Sequence, residues 1–247
     1  PRVRRQRQMC IRDSVKHLKG KHMRVIFNEE LKAVADDLDR MAQDVRKAIN
    51  GASDALLNQN LEAAQAVIDG DIEIDALESS VIDQCVKLLA KQNPVATDLR
   101  VVVSTLRLAA TFERMGDLAR HIAEAARRTY PASPLPADAQ PLFAEMQAFL
   151  DNVADQVVSM LTDRDTKTAE QIILNDDKLD ALHKKTFELA QSEDWKGTNQ
   201  QLIDVVLIGR FMERLGDHAV SAARRVMFIV SGFDPSKEPV SYTHLRA

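Results

Sequence analysis

Phe27, Leu31, Val34, Leu38, Met41, Val45, Ile49, Ala52 and Leu56 follow one another at steps of three and four residues. That spacing lays one unbroken apolar stripe along a helix. Polar turn formers at 58–60 mark its expected end. A helix of about 30 residues is about 45 Å long, and a stripe of that length needs neighbours of similar length to cover it. The composition agrees. Hydrophobic residues make up 45% of the 247, but aromatics only 4%, and Gly and Pro number eight each, which favours packed helices over sheets.

Five more helices follow from the same reasoning. The second is expected over 61–91, with Leu61, Ala64, Ile68, Asp71, Asp75, Ile82, Val86 and Leu89 in line and Pro94 breaking it. The third is expected over 95–129, with Leu99, Val103, Leu106, Ala110, Glu113 and Asp117 in line. Acids thus interrupt both apolar lines. TYPASPLPAD then reads as a linker. Leu142, Met146, Phe149, Val153, Val157 and Met160 form the fourth helix, and the fifth runs over 165–191 with Ile172, Asp176, Asp180 and Phe187 on one side. EDWKGTN is a turn, and Thr198 with Gln201 makes a capping-box pattern for the sixth helix. That helix carries Leu202, Val206, Gly209, Glu213 and Asp217 and ends near Ser231 and Gly232.

The second half repeats the first. ATFERMGDLA at 110–119 matches RFMERLGDHA at 210–219, and DIEIDAL at 71–77 matches DDKLDAL at 176–182. Short connections make successive helices antiparallel. The expected fold is therefore all-α, with two tandem antiparallel three-helix bundles related by an internal repeat, six long helices in all. The first bundle is expected over 23–130 and the second over 137–235, joined by the Pro-rich linker at 131–136. A coiled-coil rod is the rival, and the regular breaks argue against it.

Charge and cysteine usage narrow the function classes. Eight Arg or Lys and one Asp give residues 1–22 a charge of +7, and two bases and one acid give 236–247 a charge of +1, so with a formal net charge of −4 for the whole chain the interior carries −12. An acidic body argues against nucleic-acid binding. Both tails read as non-native, with Met23 as the start of the native chain; a basic arm for nucleic acid or anionic lipid is the rival reading of the first. No run of about 18 uncharged apolar residues is present, so no membrane span is expected. Cys10 and Cys85 have no metal or disulfide spacing, which fits a reducing, cytoplasmic setting.

The acids carry the functional question. Each half has one pair on its second helix, Asp71 with Asp75 and Asp176 with Asp180, and one on its third, Glu113 with Asp117 and Glu213 with Asp217. A spacing of four puts both members of a pair on one helix face, toward a neighbouring helix or close to its edge. Four carboxylates gathered between two helices repel, and burying them unpaired costs several kcal/mol each. Metal ions are one way to neutralise them, and an all-carboxylate set suits iron, manganese, magnesium or zinc. Internal ion pairing is the other, with Arg114 before Asp117, Arg210 before Glu213 and Arg214 before Asp217. Gly116 and Gly216 cost the helices about 1 kcal/mol each, and close helix approach beside the acids is the expected reason. His121, His183 and His218 read as ordinary polar positions. The Glu-x-x-His signature of di-iron bundles is absent from both motifs, and no Ser/His/Asp set or phosphate loop occurs. An enzyme is therefore not expected, although a metal-dependent, carboxylate-bridged hydrolase or oxidase of the helical-bundle type is the alternative.

PVATDLR at 94–100, ERMGDLARHIAE at 113–124, ERLGDHAVSAAR at 213–224 and DIEIDALE at 71–78 resemble the PhoU family of phosphate-signalling proteins over about residues 23–232. The resemblance implies a negative regulator of the phosphate regulon. Such a regulator couples the Pst phosphate ABC transporter, through its ATPase subunit, to a PhoR-type sensor histidine kinase. It also implies a homodimer held at the inner membrane face through its partners. A further implication is a multinuclear metal cluster, iron or zinc first and manganese or magnesium as alternatives, on Asp71, Asp75, Glu113 and Asp117 and on Asp176, Asp180, Glu213 and Asp217. Arg100 matches a family position near the first cluster. Its counterpart lies in LIDVV, near Asp204, so the two clusters are not expected to have identical surroundings.

Overall fold

Why the helices end where they do is visible residue by residue in the computed structural model. It describes the backbone of residues 2–92 and 94–232 and the side chains of 24–91 and 94–232. Six helices make up the fold: α1 Arg2–Asn58, α2 Leu61–Gln92, α3 Thr97–Thr129, α4 Gln140–Asp163, α5 Thr166–Ala190 and α6 Asn199–Ser231. The α2 helix stops just before Pro94, whose ring and missing N–H forbid another turn. At α6 both bonds of the capping box form: the Gln201 amide donates to Thr198 Oγ1 at 3.1 Å and the Thr198 amide to Gln201 Oε1 at 3.0 Å. Gly232 closes α6 in the left-handed region, φ 76°. The α1 helix crosses position 23 without a break, and the tail expected at 236–247 lies outside the described residues.

Helices α1, α2 and α3 pack on one another, as do α4, α5 and α6, and α3–α6 and α1–α4 contacts join the two bundles. The segment between α3 and α4 is packed rather than loose. Leu135 and Ala139 are buried, and Gln201 Nε2 donates to the Ser133 carbonyl at 3.2 Å. Where α3 meets α6 the two run antiparallel. Arg128, late in α3, holds Asp204, early in α6. His121 stacks on Phe211 at 5.3 Å in the middle, and Arg100, early in α3, donates to the Ile229 carbonyl, late in α6, at 3.2 Å.

The phase of two stripes differs from the expectation. On α2 the buried line is Ala64, Val67, Ile74, Val81, Cys85 and Leu88, while Ile82 and Val86 are exposed. On α3 it is Val102, Thr105, Leu108, Ala109, Phe112, Met115, Ala119 and Ile122, while Leu99 and Val103 are exposed. Both core lines sit about one residue from the expected one. The acids therefore flank the core instead of facing it. A small-residue approach makes the displacement workable: a Cβ at Gly116 would stand 2.9 Å from Ile74 Cδ1, and one at Gly216 would stand 2.6 Å from Leu179 Cδ2.

Cys85 is fully buried, and burial pushes its thiol up to about 11. Thiolate is the reactive form. In a Cys10→Ser variant, maleimide labelling at pH 7 is expected only after denaturant unfolds the chain. Rapid labelling of the folded protein would mean that the α2 core line opens locally.

Candidate metal centres

Each bundle gathers its four acids at one helix junction. In the first, Asp71 and Asp75 on α2 meet Glu113 and Asp117 on α3. In the second, Asp176 and Asp180 on α5 meet Glu213 and Asp217 on α6. The junctions correspond. Gly116 brings α3 against Ile74 and the Asp71 carboxylate, and Gly216 brings α6 against Leu179 and the Asp176 carboxylate. Burial within each set is uneven. Asp71, Glu113, Asp117, Asp176 and Glu213 are half-buried, whereas Asp75, Asp180 and Asp217 are exposed. Of the two expected placements, toward a neighbouring helix or close to its edge, the structure has the second: the acids lie along the seam beside the core, and in three of the four pairs one member is exposed, Glu113 and Asp117 both being half-buried.

The first junction is laced by arginines. Arg120 Nε lies 2.6 Å from Asp71 Oδ2, its Nη2 donates to Asp117 Oδ1 at 2.8 Å, and its Nη1 donates to Glu124 Oε1 at 2.7 Å. Arg114 adds contacts to Asp117 at 3.1 Å and Glu113 at 3.6 Å. Burial alone would raise the Asp117 carboxyl, but the Arg120 bond and charge hold it below its ordinary range. Burial raises Asp71, with Arg120 opposing and Asp75 reinforcing the rise. Burial also raises Glu113, helped by repulsion from Asp117.

The second junction lacks that central cation. Val220 stands at the repeat position of Arg120, and Arg224 at that of Glu124. Arg210 pairs with Glu213 at 2.5 Å, but among the described residues no ion pair reaches Asp176, Asp180 or Asp217, and Arg214 does not pair with Asp217. Glu213 Oε2 is buried without a hydrogen-bond partner, and so is His183 Nε2. Burial raises Asp176, and the charges of Asp180 and Asp217 raise it further, against the opposing charge of Arg224. Burial and Asp217 raise Glu213 against the pull of Arg210. His183 occupies the repeat position of Glu78, three residues past Asp180; burial and Arg210 lower it, opposed by Asp180 and Asp217.

With side chains as placed, no three described His, Cys, Asp or Glu residues converge closely enough to hold an ion. The donor chemistry nevertheless fits a hard or borderline cation at the second junction, where oxygen donors stand unpaired and one buried oxygen is orphaned. At the first junction a guanidinium already fills that electrostatic role.

Arg100 is elsewhere. Its guanidinium bonds the Ile229 carbonyl and lies 5.7 Å over the Phe228 ring. Thirteen residues of α3 separate it from Glu113, about 20 Å of helix, so it anchors the end of α6 and not the first junction. Asp204 is likewise a bundle-joining residue, bonded by Arg128 and by Gln200 at 3.1 Å. Sequence reasoning missed Arg120. The available signal was local, three residues after Asp117 and four before Glu124.

A family model for the PhoU domain matches residues 38–126 and 143–226. The phosphate-specific transport system accessory protein PhoU homolog 1 of Mycobacterium leprae is 36% identical over 218 residues, covering 88% of this chain and 98% of that protein. The PhoU homolog of Synechocystis is 31% identical over 212 residues, covering 85% and 93%. The crystal structure of PhoU from Pseudomonas aeruginosa superposes with a TM-score of 0.76 at 26% identity, over 84% of this chain and 100% of that one.

Proposed function

The chain belongs to the PhoU family, and on that premise we propose that it regulates phosphate uptake and phosphate signalling as an adaptor, not as an enzyme. It acts as a negative regulator of the phosphate regulon, coupling the ATPase subunit of a Pst-type transporter to a PhoR-type sensor kinase. It works in the cytoplasm as a homodimer, at the inner membrane face through those partners. The observation that carries this reading is the match of both repeats to the family model, with equivalent acid sets in each. The relatives' names as accessory proteins of phosphate transport support it. No described helix is long and apolar enough to cross a membrane, which suits a protein that reaches the bilayer by docking.

Iron or zinc, or else manganese or magnesium, belongs to the same proposal, held by the seam carboxylates. A bound cation supplies charge neutralisation at a helix junction. The protein's own part is to fix the α2–α3 and α5–α6 crossings through Gly116 and Gly216 and to present oxygen donors there.

The regulatory reading is tested by deleting the gene in its host and following a phosphate-regulon reporter at high phosphate. Reporter expression is expected to rise at least about tenfold, on the order of 1.4 kcal/mol of lost repression. It should return to baseline when the intact gene is restored. A reporter that stays silent in the deletion strain sinks the negative-regulator role.

A further inference from the structure

Away from both acid seams, a cavity of about 390 Å³ opens where the two bundles meet. The first bundle contributes α1 and α3 to its wall, and the second contributes α6 and the end of α4. Leu31, Leu38, Leu108, Leu161, Val226 and Ile229 make its lining largely apolar. Small-molecule sites are commonly ~300–1,000 Å³, mostly apolar, placed at joints between domains and furnished with a few polar groups. This cavity has all four properties.

Its polar groups stand without partners. Thr105 is 5% exposed, and among the described residues nothing hydrogen-bonds its hydroxyl. Thr111 and Thr129, on the same helix, bond carbonyls one turn back instead. At the mouth, Asp36 and Asp39 on α1 stand beside Lys32 and Arg164, and none of the four forms an ion pair with a described residue. Asp39 is the half-buried one. Burial raises its carboxyl, and the charge of Asp36 raises it further against that of Arg164. Arg164 closes α4 in the left-handed region, φ 51°, where glycine is the usual residue.

We propose that this cavity binds a small amphipathic zwitterion, the class of the free amino acids with apolar side chains. The apolar body enters between the bundles, the ammonium sits by Asp36 and Asp39, and the carboxylate sits by Lys32 and Arg164. A head of both signs matches a mouth of both signs, whereas a simple amine or acid leaves one pair of charges unanswered. Such a ligand touches both bundles at once, so its binding ties them together and stabilises the fold by mass action. This adds a small-molecule input to the adaptor reading and does not depend on the metal reading.

The test is ligand-observed NMR and thermal melting of the full chain with three probes that share one body: L-phenylalanine, phenethylamine and 3-phenylpropionate. L-Phenylalanine is expected to bind with a Kd of about 1 mM and to raise the melting temperature, and the two singly charged probes to bind about tenfold more weakly. Asp39→Asn is expected to weaken L-phenylalanine and phenethylamine about tenfold while leaving 3-phenylpropionate unchanged. Arg164→Gly, which puts the usual residue at that backbone position, should weaken L-phenylalanine about tenfold and spare phenethylamine. Ala35→Phe fills the cavity from its wall and should abolish binding of all three, with circular dichroism checking each variant's fold. Equal binding of the three probes, or binding that survives Ala35→Phe in a folded variant, overturns the inference. So does no binding of any probe. If no probe binds and Ala35→Phe changes the oligomeric state instead, a second copy of the chain occupies the cavity and the inference falls.

Discussion

Arg128→Ala is expected to destabilise the fold by about 3 kcal/mol, while Asp204→Leu costs far less. The two residues form one ion pair between the bundles, yet their surroundings differ. Asp204 is 2% exposed, Arg128 is 54% exposed, and Asp204 Oδ2 is buried with no hydrogen-bond partner. Removing Arg128 leaves a buried carboxylate with only Gln200 Nε2 at 3.1 Å. Removing the carboxylate lets the arginine return to water with a full hydration shell. The half-exposed arginine places the effect at the low end of the range for broken buried pairs. The double variant Arg128→Ala/Asp204→Leu is expected to recover most of the loss, because it removes the stranded charge. Urea unfolding of the wild type, both single variants and the double variant measures the cycle. If Arg128→Ala and Asp204→Leu unfold at the same urea concentration, the asymmetry of the pair is not what holds α3 to α6.

This pair also shows what the sequence could carry. Helix number and helix ends were legible, because Pro94, the Thr198–Gln201 box and Gly232 act within a few residues of themselves. Stripe phase was not. Ile82, Val86, Leu99 and Val103 repeat at helical spacing as faithfully as Val81, Cys85 and Val102, and they are exposed. Periodicity gives the interval between buried positions. Which of two neighbouring lines is buried depends on where the other helices lie. The acids, expected toward a neighbouring helix or close to the edge of the stripe, flank the buried line. Arg120 was lost for a related reason. Its contact with Asp71 crosses between helices, so neither helix alone announces it. The contrast of Arg120 with Val220 was nonetheless written in the repeat.

Gly216→Leu is expected to be as damaging, at about 3 kcal/mol. In isolation the change should help, since leucine forms helix better than glycine by nearly 1 kcal/mol. The junction reverses the sign. A Cβ alone would stand 2.6 Å from Leu179 Cδ2, and Leu179 is fully buried, so it has no free space into which to swing. The remaining side-chain atoms of a leucine would have to push α5 away from α6. Gly70 supplies the control. It lies inside α2 with nothing within 4 Å of a Cβ, so Gly70→Ala is expected to gain up to about 1 kcal/mol. A pair of opposite signs from two helix-interior glycines separates close approach from propensity in one thermal-melting experiment. The same wedge has a consequence for the seam. The Asp176 carboxylate lies 3.6 Å from that Cβ position, so separating α5 from α6 moves Asp176 and Asp180 away from Glu213 and Asp217. Metal content and stability should then fall together in Gly216→Leu. A variant that melts early yet keeps its full metal content would show that the ion does not depend on the crossing of α5 and α6.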